Sequence, residues 1–164
     1  MRRIFQMNRK ITVSVIVPCY NSAKFLEQSL KCLLTQYYEN IEIICVNDGS
    51  TDETEEVLKT VSAGRENIKI ISLEKNRGLF NARLAGAAEA AGEYIAFMDS
   101  DDLITNNWID FLLHKAVETG ADLVFGDMRK KGKVPNKKID RHRCCYYNLD
   151  PLRSIDLDTD GKGI

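Results

Sequence analysis

Charge of one sign is missing from this chain: 23 lysines and arginines stand against 24 aspartates and glutamates, a net charge of −1. A sequence so balanced feels no overall pull toward nucleic acid or an anionic membrane, so nucleic acid is not expected as a partner and any other partner must be argued from local patches. Long hydrophobic runs are missing as well. None comes near the roughly 20 apolar residues needed to cross a bilayer, so membrane contact is expected to be at most peripheral. The five cysteines are odd in number and show no Cys-x-x-Cys spacing. That pattern fits a reducing compartment better than a disulfide framework, with Cys19, Cys32 and Cys45 acting as small core residues inside apolar stretches. Met1 to Lys10 is basic in part but lacks the apolar stretch and small-residue cleavage site of a signal peptide. A cytoplasmic protein is the expectation, and no internal repeat or low-complexity tract complicates it.

What is present is ordinary globular material, 164 residues with 44% hydrophobic, enough for one buried core. Val13 to Val17 is an apolar, largely β-branched run closed by Pro18, the pattern of a strand buried on both faces. Phe25, Leu26, Leu30, Leu33 and Leu34 then recur at helical spacing, with Asn21 or Ser22 available to cap. The alternation continues with strands at Ile41–Val46, Ile68–Leu73 and Tyr94–Met98 and helices at Asp52–Val61 and Leu79–Ala91. Ile109, Leu112, Leu113, Ala116 and Val117 form a last helical face stopped by Gly120, followed by a short strand at Leu123–Phe125. Strands alternating with helices over short loops predict an α/β fold, a Rossmann-like, mostly parallel sheet with helices on both faces.

Three segments follow: a flexible leader over 1–11, a domain over 12–128, and a basic, mobile tail or incomplete further region over 129–164. The tail opens with Arg129-Lys130-Lys131-Gly132-Lys133 and continues through Lys137-Lys138 and Arg141-His142-Arg143. Such blocks are either solvated loops or surfaces that meet an anion, including a phosphate-bearing lipid. Asp156-Leu157-Asp158-Thr159-Asp160-Gly161 matches the first half of a calcium loop, but the chain stops before the acidic residue required at the twelfth position.

The densest signal is Tyr94-Ile95-Ala96-Phe97-Met98-Asp99-Ser100-Asp101-Asp102, an apolar strand ending in three carboxylates within four residues. Such crowding costs repulsion unless a cation lies among the charges. A hard divalent ion with oxygen ligands and open positions for phosphates is one reading. The other is a loop whose aspartates cap the next helix. In an open parallel sheet, ligands bind at the carboxyl ends of the strands. That rim collects Pro18-Cys19-Tyr20-Asn21, Asn47-Asp48-Gly49-Ser50-Thr51-Asp52, Asn76-Arg77-Gly78 and Asp99-Ser100-Asp101-Asp102. Asp48 can accept from the ring N–H of a uracil or guanine, or can be a turn aspartate. Tyr20 offers a stacking ring or ordinary packing. Ser50, Thr51 and Asp52 read as a helix cap. Arg83 can pair with a diphosphate, orient an aspartate, or lie on the surface.

The four clusters in this order, with Val15-Ile16-Val17 leading the first, Ala82-Arg83 following the third and Phe97-Met98 leading the fourth, resemble the motif set of family 2 glycosyltransferases over about residues 12–127. The resemblance implies a GT-A fold and a nucleotide-sugar donor, a UDP-sugar, used with divalent Mn or Mg. It also implies inverting transfer to a saccharide or lipid-linked acceptor, as in polysaccharide biosynthesis. It would put Pro18, Tyr20 and Asp48 at the base and ribose and Arg83 near the diphosphate, with Asn21 and Asn76 also among the residues that bind the nucleotide sugar. Asp99, Asp101 and Asp102 would lie at the metal, Asp101 most directly. Asn47 stands where many relatives carry an aspartate. Inverting relatives use an acidic general base several tens of residues past the metal motif. Nothing from Arg129 to Ile164 carries that motif, so no catalytic base is assigned. A noncatalytic nucleotide-sugar-binding module is therefore the competing reading. A nucleotidyltransferase ranks lower, because Pro18 to Ala23 contains no glycine for a phosphate loop. Self-association stays open.

Overall fold

The computed structural model describes residues 11–124 and the backbone of 146–148. The leader up to Lys10, Phe125, the basic blocks and the calcium-like segment lie outside the described residues. The elements are β1 (Val13–Cys19), α1 (Ala23–Leu34), β2 (Ile41–Asn47), α2 (Thr54–Ser62), β3 (Ile68–Ser72), α3 (Leu79–Ala88), β4 (Tyr94–Phe97), α4 (Trp108–Thr119) and β5 (Tyr146–Asn148). Sheet order is β3-β2-β1-β4-β5. The first four strands run parallel, with Val13 opposite both Ile41 and Tyr94, and β5 pairs antiparallel with β4. The mostly parallel α/β sheet is as the strand–helix alternation predicts. The antiparallel edge strand is an addition that alternation did not anticipate, and Leu123 makes an isolated bridge pairing rather than a strand.

All seven residues of β1 are buried, and the two-residue period of a strand divides them between two cores. Val13, Val15, Val17 and Cys19 pack with Leu26, Leu30 and Leu33 of α1, Leu58 of α2 and Ile109 and Leu112 of α4. Ile16, on the opposite face, joins Ile44, Val46 and Ile95 under Ala82 of α3. The alanines of α3 let it lie close: a Cβ added at Gly86 would come within 2.5 Å of the Ile16 Cγ2. Among the described residues no helix is long and apolar enough to cross a membrane.

Element ends follow local chemistry. The second helix starts at Thr54 rather than Asp52: Glu53 is its N-cap residue, and the Asp52 carboxylate, one position further out, accepts the Thr54 N–H at 3.0 Å. The third helix ends at Ala88, three residues early, with the Glu89 N–H already bonding back to the Gly86 carbonyl. Gly120 stops α4 as expected, in the left-handed conformation at φ 67°, its N–H donating to the Ala116 carbonyl at 2.8 Å.

Candidate active site

Pro18 sits in a central strand, where its missing N–H would ordinarily break a ladder. Here the gap falls harmlessly. The Ile16 carbonyl accepts the Met98 N–H on the β4 side, and Cys19 accepts the Asp48 N–H on the β2 side. Pro18 therefore faces β4 two residues past Ile16, where β4 has already ended at Phe97. The two strands part at the one place where chain order reverses across the sheet, since β1 leads to β2 and β3 on one side and β4 lies on the other. That switch point is where an open α/β sheet leaves a crevice beyond its strand ends.

A cleft of about 320 Å³ fills it, walled by Pro18, Tyr20 and Asn21 after β1, by Asp99, Ser100 and Asp101 after β4, and by Phe25 and Leu79 at its mouth. Of the residues picked out on the rim, Pro18, Tyr20, Asn21, Asp99 and Asp101 thus share one space. Asn21 takes a positive φ of 49°, a conformation asparagine tolerates better than most. Its side-chain carbonyl accepts the Thr51 N–H at 2.8 Å while its own N–H donates to the Ser50 Oγ at 3.0 Å. Tyr20 is half-exposed, its ring free for a flat partner.

Asp48 is elsewhere. It is 3% exposed, and its two oxygens accept the N–H groups of Arg77 and Gly78, each at 2.8 Å. One carboxylate thereby ties the end of β2 to the turn that starts α3. Two of its lone-pair sites remain for another donor. The exposed Asn76 closes that turn by accepting the Gly78 N–H at 2.8 Å and does not line the cleft. The Arg83 guanidinium donates to the Asp99 carboxylate at 2.7 Å and lies 5.6 Å from the Phe97 ring centre, while its buried Nε has no partner among the described residues.

Asp99, Asp101 and Asp102 stand close enough to feel one another's charge. Burial, then the charges of Asp99 and Asp101, push the Asp102 carboxyl above the ordinary carboxylate range. Among the described residues no three His, Cys, Asp or Glu side chains converge to cage a metal on their own, so Asp99, Asp101 and Asp102 do not form a complete protein-only ligand set. The donor chemistry still fits a Mg²⁺- or Mn²⁺-type ion that takes one or two carboxylates and completes its shell with substrate phosphates and water.

The family model for glycosyl transferase family 2 matches residues 14–162. The chain belongs to glycosyl transferase family 2. Glycosyltransferase GlyG of Streptococcus pneumoniae serotype 4 is 38% identical over 115 residues, 70% of this family 2 chain and 38% of GlyG. The chain thus spans well under half the length of that relative. Among solved structures, S. aureus TarS 1–349 in complex with UDP-GlcNAc superposes with a TM-score of 0.68 at 31% identity, covering 76% of this chain and 37% of that one. The mannosyltransferase PcManGT of Pyrobaculum calidifontis, in complex with GDP-Man and Mn²⁺, gives a TM-score of 0.57 at 25% identity over 62% of this chain and 33% of that one. The fold of this family 2 domain is the GT-A type.

Sequence reading missed two contacts of the site. Asp52, expected only at the start of the following helix, also reaches α1, its carboxylate accepting the Ala23 N–H at 3.2 Å as well as the Thr54 N–H of α2. Ser22 and Ser100, both buried, bring their hydroxyls to 2.7 Å across the cleft floor. A partner 78 residues away leaves no local signal.

Proposed function

We propose that the chain is the donor-binding domain of an inverting glycosyltransferase that holds a nucleoside-diphosphate sugar, a UDP-sugar, with a divalent cation. The observation that carries the reading is the switch-point cleft, in which Tyr20 and Asn21 face Asp99 and Asp101. Its likeness to TarS, solved with UDP-GlcNAc, favours uridine. In this reading Pro18, Tyr20 and Asn21 receive the base and ribose, and Asp48 offers its remaining lone pairs to a base N–H. Asp101, with Asp99 and Asp102 beside it, holds the cation. When bound, that ion neutralises charge on the departing diphosphate. Arg83 orients Asp99 and stands ready for a phosphate oxygen, and Asn76 shapes the turn beside it.

Calorimetry of UDP, UDP-sugars, GDP and GDP-sugars, each with and without Mn²⁺ or Mg²⁺, tests the proposal. Metal-dependent binding of UDP ligands supports it. No metal-dependent binding of any of them refutes it. Binding without sugar transfer to any acceptor would support the module reading in place of the enzyme.

A further inference from the structure

Ser22 is the N-cap residue of α1, a position where a serine hydroxyl ordinarily accepts an N–H from the first turn. It makes no such bond here; the Phe25 N–H of the first turn bonds to the Ser22 carbonyl instead. The hydroxyl turns the other way. It accepts the Tyr20 N–H at 3.1 Å, lies 3.3 Å from the Tyr20 carbonyl and meets the Ser100 hydroxyl at 2.7 Å. A hydroxyl has one proton and two lone pairs. With its proton on the Tyr20 carbonyl and one lone pair on the Tyr20 N–H, Ser22 accepts from Ser100 through the other. All three contacts are then satisfied.

Ser22 is itself immobilised. Its N–H donates to the buried Thr54 Oγ1 at 2.8 Å, and its carbonyl accepts the N–H groups of Phe25 and Leu26 at 2.9 and 3.0 Å. Ser100 stands between Asp99 and Asp101, in a loop closed by the Asp102 N–H donating to the Asp99 carbonyl at 3.1 Å. Among the described residues the serine pair is therefore a direct side-chain link between the loop after β1 and the loop after β4.

Resting on the donor-binding reading above, we propose that the Ser22–Ser100 hydroxyl bridge is a positioning device that sets the Asp99–Asp101 loop at a fixed spacing from Tyr20, matched to a nucleoside diphosphate that must reach both. Neither serine touches a reacting atom. The bridge matters for ligands that span the two loops and not for a nucleoside that engages the β1 side alone.

The test compares the wild-type chain with Ser100→Ala, Ser22→Ala, the double variant and Ser100→Thr. It uses calorimetry with UDP and Mn²⁺, NMR titration with uridine, and thermal melting. Losing the one shared hydrogen bond should weaken UDP·Mn²⁺ binding about five- to tenfold in Ser100→Ala, and at least as much in Ser22→Ala, which also gives up its contacts with the Tyr20 N–H and carbonyl. The double variant should lose no more than the worse single one, since both remove the same bond. Uridine affinity should hold in Ser100→Ala, and Ser100→Thr, which keeps a hydroxyl, should restore most of the loss. Unchanged UDP binding in Ser100→Ala, an equal loss for uridine, or additive losses would overturn the proposal, as would failure of both single variants to fold, which would make the bridge merely structural. A wild-type chain that binds no UDP with any metal overturns the donor reading itself, and the bridge's role with it.

Discussion

Replacing Asp48 by Asn should destabilise the domain far more than a surface turn aspartate would. The side chain is 3% exposed, and its two oxygens hold the N–H groups of Arg77 and Gly78 at 2.8 Å. Asparagine keeps the shape, but turns one acceptor into an NH₂ group facing an N–H and removes the charge from the bond that remains. A hydrogen bond to a charged group contributes about 1.5–3 kcal/mol, so losing one and weakening the other should cost about 2–3 kcal/mol. Asp48→Ala, which removes both acceptors, should cost about 3–4 kcal/mol, less than the full sum because the Gly78 N–H keeps the Asn76 Oδ1 at 2.8 Å and Arg77 lies in an exposed turn where water can reach its N–H. At about 4 °C per kcal/mol, the asparagine variant should melt roughly 8–12 °C lower.

Urea unfolding read by circular dichroism is the assay, with the midpoint falling and the slope unchanged. Hydrogen exchange at the Arg77 and Gly78 amides should accelerate in the same variant, because the loss is local to that turn. A cost under about 0.5 kcal/mol in both variants would refute the reasoning, because it would mean the carboxylate does not hold the β3–α3 turn.

Gly49→Ala should cost at least about 2 kcal/mol by urea unfolding, combining a left-handed φ with overpacking. The residue has φ +64°, and its Cβ would lie 2.5–2.6 Å from the backbone of Lys75 and Asn76; a neutral result would refute the close approach. The raised Asp102 carboxyl means the folded state holds that proton more tightly than the unfolded state, so its penalty is absent at low pH and grows as pH rises through and above the usual carboxylate range. Asp102→Asn should therefore melt no lower than wild type at neutral pH, with any advantage vanishing in acid; a melting-temperature profile showing the reverse slope refutes this. Asp101→Ala should keep the melting temperature and far-UV spectrum but lose the metal dependence of UDP binding in calorimetry, whereas retained Mn²⁺ dependence would remove Asp101 from the cation site.

The alternation of strands and helices was legible because it is local. Val13 to Val17 and Ile41 to Val46 are buried on both faces and therefore read as unbroken apolar runs, while α1 shows its Leu26, Leu30 and Leu33 stripe at helical period. The gathering of Pro18, Tyr20, Asn21, Asp99 and Asp101 was legible for a topological reason, since every parallel strand delivers its following loop to the same rim. β5 was not. Three residues, Tyr146–Asn148, are too few to show a period, and they are recruited by the open edge of β4. Boundaries failed where a side chain took over a backbone duty, as Asp52 does for Ala23 and Thr54. Asp48 shows a duty that the sequence did not reveal. Its acceptor chemistry was plain in the sequence, but its partners Arg77 and Gly78 are 29 and 30 residues on, and only the fold brings them within reach.

The charge at the cleft ties these pieces together. Three carboxylates lie within four residues after β4, and among the described residues one cation, Arg83, pairs with one of them, Asp99. Both members of that pair are more than a third exposed, 35% and 45%, so the pair itself contributes at most about 1 kcal/mol. Stability alone does not account for the arrangement, because Asp102 pays for the crowding with a proton affinity raised by burial and by its two neighbours. A fold that keeps an electrostatic cost at the one crevice its topology opens, beside a half-exposed tyrosine and under a proline that parts the strands, gains from the cost only when a positive charge arrives there. That is the physical content of the donor reading. It is also why cation titration followed by melting temperature is the sharpest check on it: Mn²⁺ should raise the melting temperature of the wild-type chain and should do so much less once Asp101 is removed.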